Sequence, residues 1–378
     1  MPGADVVVIG GGIAGVSAAA FIAASGASVT LLERENALSA HTTGRSAALY
    51  LSNYGHEQTR RLTLASRAFL EQPPDGFSDA PLLSTRGMLS VGGEDAVDVV
   101  RRIASEGRRL DPSITEVTGK EARRLCPVLR PEHSVAGVYE PGASDIDVAG
   151  LHGGFVRMVR QHGGQIQRAA PVVAIARGGA GWQVSTSDES YDCTSVVDAA
   201  GAWGDEVAAL AGLARVGLRP LRRTALTVGL PDGLDARGWP AVNQASYEWY
   251  FRPEGDGLLL SPADETPSEP CDARPDDLDV AMAMERVAEA TTLPLRSVRR
   301  AWAGLRTFGP DGEMVIGPDP SARTWVWCVG QGGYGIQTAP AVGQLTADLA
   351  LGRTPDWLAG TGIDVAAVSA GRMVSEGS

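Results

Sequence analysis

A glycine-rich turn between two short apolar segments constrains the fold of this chain most strongly. A β-branched run at residues 6–9 leads into three glycines spaced G-x-G-x-x-G over 10–15, and small residues typical of a helix follow at 16–25. A second strand is predicted at 28–32. This strand-helix-strand order predicts a parallel sheet that binds a dinucleotide, with the pyrophosphate at the helix N-terminus.

Each residue of this motif has its own physical role. Gly10 allows the tight turn, Gly12 lets a pyrophosphate reach the backbone, and Gly15 permits close packing of helix on strand. Glu33 ends the second strand, where it would accept hydrogen bonds from ribose hydroxyls and repel the 2′-phosphate of NADP. The motif by itself leaves FAD and NAD as alternatives.

The composition restricts the partners. The 378 residues are 44% hydrophobic and 21% charged, as in a soluble globular protein, and the net charge of −12 disfavours nucleic acid and anionic membranes. The four cysteines are widely spaced, which predicts neither a metal site nor a disulfide framework. We find no basic, apolar leader and no membrane-spanning run, and we expect a cytoplasmic protein with small-molecule ligands.

The rest of the chain alternates helical and strand patterns. Helices are predicted near 56–70 and 118–126, in the segment 147–164 that ends at glycines, and near 336–351. The Pro- and Asp-rich stretch "PSEPCDARPDD" predicts a surface loop before a helix at 278–290. The stretch "SVVDAAGAWGDEVAALAG" repeats the order strand, turn and helix, and is expected to return the chain to the first sheet.

Five ordered blocks carry a resemblance. These are the opening motif, "TTGRSAA", "DAAGAW", "AGLRTFGPDGEMVIG" and "GQGGYGIQTAPAVG". Together they resemble the D-amino acid oxidase and glycine oxidase family of glutathione-reductase-like flavoproteins, and within it the D-arginine dehydrogenase pattern. Glycine oxidase homologues that unmask β-amino acid building blocks for polyketide biosynthesis are a related possibility.

The resemblance implies an α/β (α+β two-domain) fold with noncovalent FAD. A Rossmann-type FAD-binding domain would comprise 1–84, 144–216 and 301–368, an antiparallel-sheet substrate domain 85–143 and 217–300, and a tail 369–378. His41 lies just before "TTGRSAA" at 42–48, called here the flavin loop, but the resemblance implies no covalent bond to His41.

The resemblance also implies which residues bind FAD. They come from the opening motif, the loop after the second strand, three later turns and the substrate strand: Gly10, Gly12, Ile13, Ala14, Gly15, Glu33, Arg34, Thr43, Gly44, Arg45, Ser46, Ala47, Val172, Ala200, Gly201, Trp203, Arg306, Gly332, Gly333, Tyr334, Gly335, Ile336 and Gln337. Amides near 332–337 would stabilise negative charge on the reduced flavin.

The substrate residues implied by the resemblance are arginines and tyrosines. Arg306, Tyr250, Arg223 and Tyr54 would bind an α-carboxylate, although Arg222 could replace Arg223 in that role. The pocket around them would comprise Leu49, Leu51, Ala241, Asn243, Gly333 and Gln337.

The sequence departs from the D-arginine dehydrogenase pattern at the side-chain pocket. That pattern has a glutamate within the stretch written here as "LLSTRGMLSV", which contains no carboxylate. A cationic side chain would therefore lack its counter-ion, and Leu49, Leu51 and Ala241 make the pocket more apolar.

Three functions are consistent with these patterns. We favour an FAD enzyme that oxidises the C–N bond of an N-substituted glycine, such as an N-carboxymethyl β-amino acid, to give glyoxylate and the amine. An apolar D-amino acid is the alternative substrate. An NAD-dependent hydroxyacid dehydrogenase and a flavin-binding scaffold without activity are the competing hypotheses.

Overall fold

The computed structural model describes residues 3–179 and 181–373. The chain opens with the predicted strand-helix-strand unit, namely β1 (Gly3–Ile9), α1 (Ile13–Ala24) and β2 (Val29–Leu32), and β1 and β2 are parallel. Gly10 has a φ of 113°, which residues with a Cβ rarely adopt. A Cβ on Gly15 would lie 1.9 Å from the Gly10 carbonyl oxygen, so only glycine lets α1 approach this turn.

The remaining regular elements in the described residues are short strands and amphipathic or buried helices. The strands are β3 (Leu49–Tyr50), β4 (Leu83–Thr85), β5 (Met88–Gly92), β6 (Thr115–Thr118), β7 (Ala136–Glu140), β8 (Ser144–Ile146), β9 (Gln165–Gln167), β10 (Val172–Gly178), β11 (Gly181–Thr186), β12 (Ser190–Asp198), β13 (Arg219–Gly229), β14 (Ala241–Gln244), β15 (Tyr250–Glu254), β16 (Gly257–Ser261), β17 (Thr266–Pro267), β18 (Val298–Phe308), β19 (Val315–Asp319) and β20 (Ala322–Val329). The helices are α2 (Glu57–Glu71), α3 (Val97–Arg108), α4 (Gly119–Leu125), α5 (Val148–Gln161), α6 (Gly204–Leu210), α7 (Asp277–Ala290), α8 (Gly335–Ala350) and α9 (Val365–Val368).

The first sheet has eight strands around a parallel centre. Its parallel part runs β9-β2-β1-β12-β20, while β11 and β10 extend it from β12 and β19 pairs antiparallel with β20. Val6 and Val8 pack in one core with α1, α5 and α8, whereas Val7 and Ile9 pack in another with Trp182. Because both faces of β1 are buried, its sequence is an unbroken apolar run.

The second sheet has nine strands and is mostly antiparallel. Its order is β17-β13-β16-β15-β14-β5-β7-β6, with β18 also paired to β13. A third sheet of β3, β8 and β4 is small. The predicted fold class, a Rossmann-type α/β part with a second antiparallel sheet, is confirmed.

Several predicted elements are confirmed with small changes at their ends. The helix predicted at 278–290 is α7, the helix predicted at 336–351 is α8, and β12 returns to the first sheet by pairing in parallel with β1. The domain boundaries stay a proposal, and β18 crosses the proposed boundary at residue 301. Of the proposed tail, Ala370 is buried, and residues 374–378 lie outside the described part.

Candidate cofactor and substrate site

A cavity of about 450 Å³ lies between the two large sheets. One end is formed by residues that follow the carboxyl ends of β1, β2 and β12, which is where open parallel sheets bind ligands. The other end is formed by residues of β13, β15 and β18 on one face of the nine-stranded sheet. The cavity is therefore bordered by chemically different surfaces of both sheets, as a dinucleotide next to a substrate requires.

Most of the residues predicted to bind FAD line this cavity. They are Gly10, Gly12, Ile13, Ala14, Glu33, Arg34, Thr43, Arg45, Ser46, Ala47, Val172, Ala200, Gly201, Trp203, Arg306, Gly332, Gly333, Gly335 and Ile336. Gly15, Gly44, Tyr334 and Gln337 do not line it. The direct contacts with FAD that the resemblance implies stay predictions.

The N-terminus of α1 forms a cradle at the first end of the cavity. A Cβ on Gly12 would meet only the Thr43 hydroxyl, at 3.3 Å, so that the backbone here is open to a ligand. The Ile13 N–H donates to Thr43 Oγ1 over 3.0 Å, which ties the flavin loop to the helix start. This bare, N-terminal helix backbone suits the pyrophosphate of FAD.

Glu33 is held rigidly at the same end. Its two carboxylate oxygens accept the N–H groups of Gly11 (2.7 Å) and Glu35 (2.8 Å). Each carboxylate oxygen of Glu33 therefore already accepts one backbone hydrogen bond. The predicted hydrogen bonds from the ribose hydroxyls would use the remaining lone pairs of the two oxygens.

An aromatic and basic group of side chains lies beside Glu33. The Arg34 guanidinium is 3.9 Å from the centre of the Trp203 ring, and the His41 ring is 4.8 Å from the same ring. His41 Nε2 lies 3.0 Å from Glu35. His41 therefore borders the cavity beside Trp203 and Glu35, and noncovalent binding of FAD stays a prediction.

The flavin loop joins the two sheets. Thr42 Oγ1 donates to the Leu305 carbonyl (2.8 Å) and Arg45 Nη1 donates to the Ala303 carbonyl (2.9 Å), both on β18. The Arg45 guanidinium also pairs with Asp272, so its charge is already compensated. Arg45 borders the cavity without offering a free cation to it.

Helix α8 begins at the cavity. The glycine loop at 332–335 precedes it, and the positive end of the helix dipole therefore faces the space where negative charge is expected. Gln337 is 2% exposed, and its amide accepts from Leu51 N–H (3.0 Å) and donates to Thr63 Oγ1 (2.8 Å). Gln337 would therefore influence a ligand indirectly, by holding the backbone of Leu51.

Two arginines extend from neighbouring strands on one face of the nine-stranded sheet. Arg306 pairs with Leu221 and Arg223 with Gly304, which makes the two arginines diagonal neighbours that border the same end of the cavity. Arg222 lies on the opposite face of β13, where it pairs with Asp279 at 2.8 Å. This contact gives Arg222 a structural role and separates it from the cavity.

The two arginines differ in their partners. Arg306 donates from Nη1 to the Tyr54 hydroxyl at 2.9 Å, and no carboxylate of the described residues lies within 4.0 Å of it. Arg223 is buried, pairs with Glu265 at 2.9 Å, and retains a buried Nη1 without a hydrogen-bond partner in the described structure. Both arginines therefore have capacity to bind an anion.

The predicted apolar pocket residues are packed together next to the cavity. Leu51 and Ala241 form one cluster with Met88 and Ala143, and Leu49 and Tyr54 pack against it. Asn243 is directly opposite Tyr250 in the sheet and accepts a 2.6 Å hydrogen bond from Ser90. Leu49, Leu51, Ala241 and Asn243 do not line the cavity, and the cluster reaches the arginines through Tyr54, so their contacts with substrate stay a prediction.

The stretch that lacks the glutamate of the D-arginine dehydrogenase pattern has no room for a side chain at Gly87. Gly87 has a φ of 77°, and a Cβ there would meet the Tyr139 ring and hydroxyl at 2.7–2.9 Å. A glutamate introduced at Gly87 would strain the backbone and displace Tyr139, so it does not test the charge preference of the pocket. Arg86 next to it is paired with Asp145.

The sequence interpretation missed some residues of the site. The cavity is also lined by Gly11, Ser39, Ala40, Thr42, Ala225, Gly304, Leu305, Thr307 and Gln331. Tyr247 was missed as well, although its hydroxyl lies 3.1 Å from that of Tyr54. The available signal was the density of aromatic residues in "SYEWYF", which is unusual for a turn.

Other kinds of site have no support in the part of the chain that the structure describes. No group of three or more histidines, cysteines or acidic residues is arranged to hold a metal ion there. Within the same residues, no helix has the length and apolarity to cross a bilayer.

Two enzymes illustrate the similarity of this chain to known proteins in sequence. The chain is 25% identical to mitochondrial dimethylglycine dehydrogenase of Mus musculus over 381 residues, covering 93% of this chain but 43% of that protein. It is 23% identical to N-methyl-L-tryptophan oxidase of Yersinia pestis, covering 91% and 94% of the two chains. The chain thus spans less than half the length of the first relative.

Three solved structures share the fold. They are L-proline dehydrogenase from P. horikoshii (TM-score 0.86, 21% identity, 100% and 99% coverage), glycine oxidase from Geobacillus kaustophilus (0.84, 21%, 98% and 98%) and iminodiacetate oxidase from Chelativorans sp. (0.81, 20%, 96% and 98%). The sequence pattern of one family, described as FAD dependent oxidoreductase, matches residues 5–349. The chain therefore belongs to the FAD dependent oxidoreductase family, and FAD is its cofactor.

Proposed function

We propose that the chain oxidises the C–N bond of an amino acid or amine that carries a carboxylate. The observation that carries this proposal is Arg306, a guanidinium without a carboxylate partner in the described residues, at the end of the cavity that Tyr250 borders. A desolvated cation without a counter-ion costs several kcal/mol, and a substrate carboxylate would supply that counter-ion through two parallel hydrogen bonds.

The chemistry needs positioning more than acid–base groups. FAD, when bound, accepts the hydride that leaves the carbon next to nitrogen. The nitrogen lone pair becomes the second bond of an imine, and water hydrolyses the imine to an amine and an oxo acid. Arg306 and Tyr250 would hold the carboxylate so that this carbon has one orientation, and the surrounding side chains would exclude water.

We further propose that the substrate is an N-substituted glycine with an apolar body, such as an N-carboxymethyl β-amino acid. Arg306 and the unpartnered Nη1 of Arg223 could each take a carboxylate, and an N-carboxymethyl amino acid has two. The apolar cluster of Leu51 and Ala241, against which Leu49 and Tyr54 pack, would lie next to an alkyl chain of a substrate bound at Arg306. The products would be glyoxylate and the free β-amino acid.

Four of the similar proteins are named for substrates with a substituted nitrogen, whereas glycine oxidase is named for a primary amine without a side chain. Dimethylglycine, N-methyl-L-tryptophan, iminodiacetate and L-proline all carry their nitrogen bonded to at least two carbons. On this basis we place the chain with glycine oxidase homologues that release β-amino acids, and not with the D-arginine dehydrogenase pattern. The four cysteines are unpaired, which is compatible with the cytoplasm as the proposed location.

Anaerobic reduction of the FAD-loaded protein tests this function. We expect N-carboxymethyl-3-aminobutanoate and longer homologues to bleach the flavin absorbance, with one glyoxylate formed per flavin reduced. N-carboxymethylisopropylamine, which has a methyl group in place of the CH2–carboxylate arm, is the matched control and should react with lower affinity. Faster reduction by D-leucine, with ammonia as product, would instead assign the primary D-amino acid reaction, and no reduction by any amine would refute C–N oxidation.

A further inference from the structure

Tyr247 lies in the turn between β14 and β15 with a backbone conformation that glycine normally takes. Its N–H donates to the Gln244 carbonyl at 2.8 Å, and its φ is 64°. Left-handed turn residues of this kind are usually glycine or asparagine, and a bulky tyrosine is rare there. Such strain persists only where the surrounding structure fixes the residue, and it is concentrated at functional sites.

The contacts that fix the Tyr247 side chain belong to the substrate end of the cavity. Its ring stacks on Tyr54, with centroids 5.6 Å apart, and on Tyr250, at 6.0 Å. The Arg223 guanidinium lies 5.6 Å from the centre of the same ring. Tyr247 thus packs on three of the four residues expected to bind the substrate carboxylate.

The ring of Tyr54 is held from two sides at the edge of the cavity. Tyr247 stacks on it, and Tyr334 packs edge-on against it with centroids 4.8 Å apart. A Cβ on Gly333, a residue that lines the cavity, would lie 3.0 Å from the Tyr54 hydroxyl oxygen. The packing therefore fixes both the plane of the Tyr54 ring and the place of its hydroxyl beside the cavity.

The hydrogen bonds of the Tyr54 hydroxyl leave it one free capacity. Its oxygen accepts from Arg306 Nη1 at 2.9 Å and from the Tyr247 hydroxyl at 3.1 Å. A hydroxyl has one hydrogen to donate and two lone pairs to accept with, so both lone pairs are used. Within the described residues the Tyr54 hydrogen has no acceptor. A ligand can therefore bind this hydroxyl only by accepting its hydrogen.

We infer that Tyr247 is a positioning residue that, by donating to Tyr54, fixes the Tyr54 hydroxyl as a hydrogen-bond donor toward the substrate carboxylate. The inference rests on the proposed function. With Tyr247 in place, Tyr54 and Arg306 both present donors, which suits the two oxygens of a carboxylate and opposes a ligand N–H. Without the Tyr247 hydroxyl, the Tyr54 hydrogen would be free to rotate to the vacated side, and Tyr54 would then offer a lone pair to the ligand.

The preference of the holoenzyme for a carboxylate over an isosteric amide tests the inference. Isovalerate and isovaleramide share one apolar body and have no oxidisable amine. Each is titrated against the flavin absorbance at about pH 6.5, well below the pKa of about 10 of an ordinary tyrosine. In Tyr247→Phe, which keeps the stacked ring, the preference for isovalerate should fall about tenfold relative to wild type, the equivalent of one hydrogen bond. If both affinities fall by the same factor, the preference is unchanged, Tyr247 only supports the structure, and the inference is overturned.

The same comparison in a Tyr54→Phe background shows whether Tyr247 acts through Tyr54. There, the added Tyr247→Phe change should leave the preference as it is in Tyr54→Phe alone. A further fall of about tenfold would overturn the inference, because the effect would not need the Tyr54 hydroxyl. Tyr191→Phe is the matched control and should keep the wild-type preference, because Tyr191 is also buried but donates to Glu189 away from the cavity.

The two titrations also separate this inference from the proposed function. Failure of isovalerate to bind the wild-type holoenzyme would overturn the carboxylate site and the role of Tyr247 together. Binding of isovalerate with an unchanged preference in Tyr247→Phe would overturn the role of Tyr247 alone. The predicted loss of preference, combined with no flavin reduction by any amine, would support the role of Tyr247 and count against C–N oxidation.

Discussion

Arg306 donates from Nη1 to the hydroxyl oxygen of Tyr54 over 2.9 Å, and this bond joins β18 to the loop after β3 across 252 residues of sequence. It is the contact by which a strand of the nine-stranded sheet and the segment after the flavin loop form one substrate site. The Arg306 guanidinium is otherwise left without a carboxylate partner among the described residues.

Replacing Arg306 by alanine should remove most of the affinity for carboxylate ligands and leave FAD bound. Loss of one partner of a buried charged pair costs about 2–5 kcal/mol, or roughly 30-fold to several thousand-fold in Kd. Binding can be measured by the change in flavin absorbance on titration with substrate analogues. Arg300→Ala, an exposed arginine on the same strand, is the control. Unchanged affinity in Arg306→Ala would show that the carboxylate binds elsewhere.

Replacing Arg223 by methionine should distinguish substrates with two carboxylates from those with one. We expect kcat/KM for an N-carboxymethyl β-amino acid to fall more than that for sarcosine, by about 30-fold, because a hydrogen bond to a charged group contributes about 2 kcal/mol. Arg222→Met on the opposite face should reduce stability through its lost Asp279 contact without changing this ratio. An equal loss for both substrates would mean that both arginines bind one carboxylate.

Replacing Gly12 by alanine should weaken FAD binding without unfolding the chain. The added methyl would be close only to Thr43 Oγ1, at 3.3 Å, but it would occupy the space where a pyrophosphate meets the backbone. We expect at least a tenfold rise in the Kd for FAD, or about 1.4 kcal/mol, measured by flavin fluorescence on titration of the apoprotein. Gly238→Ala is the control, since no atom lies within 4 Å of a Cβ there. Full FAD affinity in Gly12→Ala would place the pyrophosphate elsewhere.

Replacing Glu140 by glutamine should increase stability more at high pH than at low pH. Glu140 is buried beneath the Tyr54 loop, where its carboxylate accepts from Ser52, and burial raises its pKa. Its contribution to stability is fully present below the pKa of an unfolded glutamate and is lost as pH rises through the raised pKa of the folded state.

Urea unfolding across this pH window measures the effect. The free energy of unfolding of Glu140→Gln, relative to wild type, should rise with pH by about 1.4 kcal/mol for each unit by which the Glu140 pKa is raised. Glu132→Gln, at an exposed carboxylate, should show no such trend. A difference that does not vary with pH would mean that folding does not raise the pKa of Glu140.

Local signals were sufficient for the first part of the fold. Gly10 and Gly15 could be interpreted from spacing alone, because the turn and the close contact of α1 with it depend on neighbouring residues of one short segment. The predicted bounds of α7 and α8 differ from the observed bounds by one residue or less at each end. Helical periodicity is likewise a property of one short segment, which is why these helices could be predicted.

The sequence by itself determined the strand-helix-strand unit, the glycine cradle and the membership of a flavoprotein family. The tertiary structure decided the substrate site. Only the register of β13 against β18 puts Arg223 and Arg306 on one face and turns Arg222 away, and only folding places Tyr247 on Tyr54. These contacts join residues far apart in the chain, where pairing between strands, and not any local pattern, determines which side chains meet.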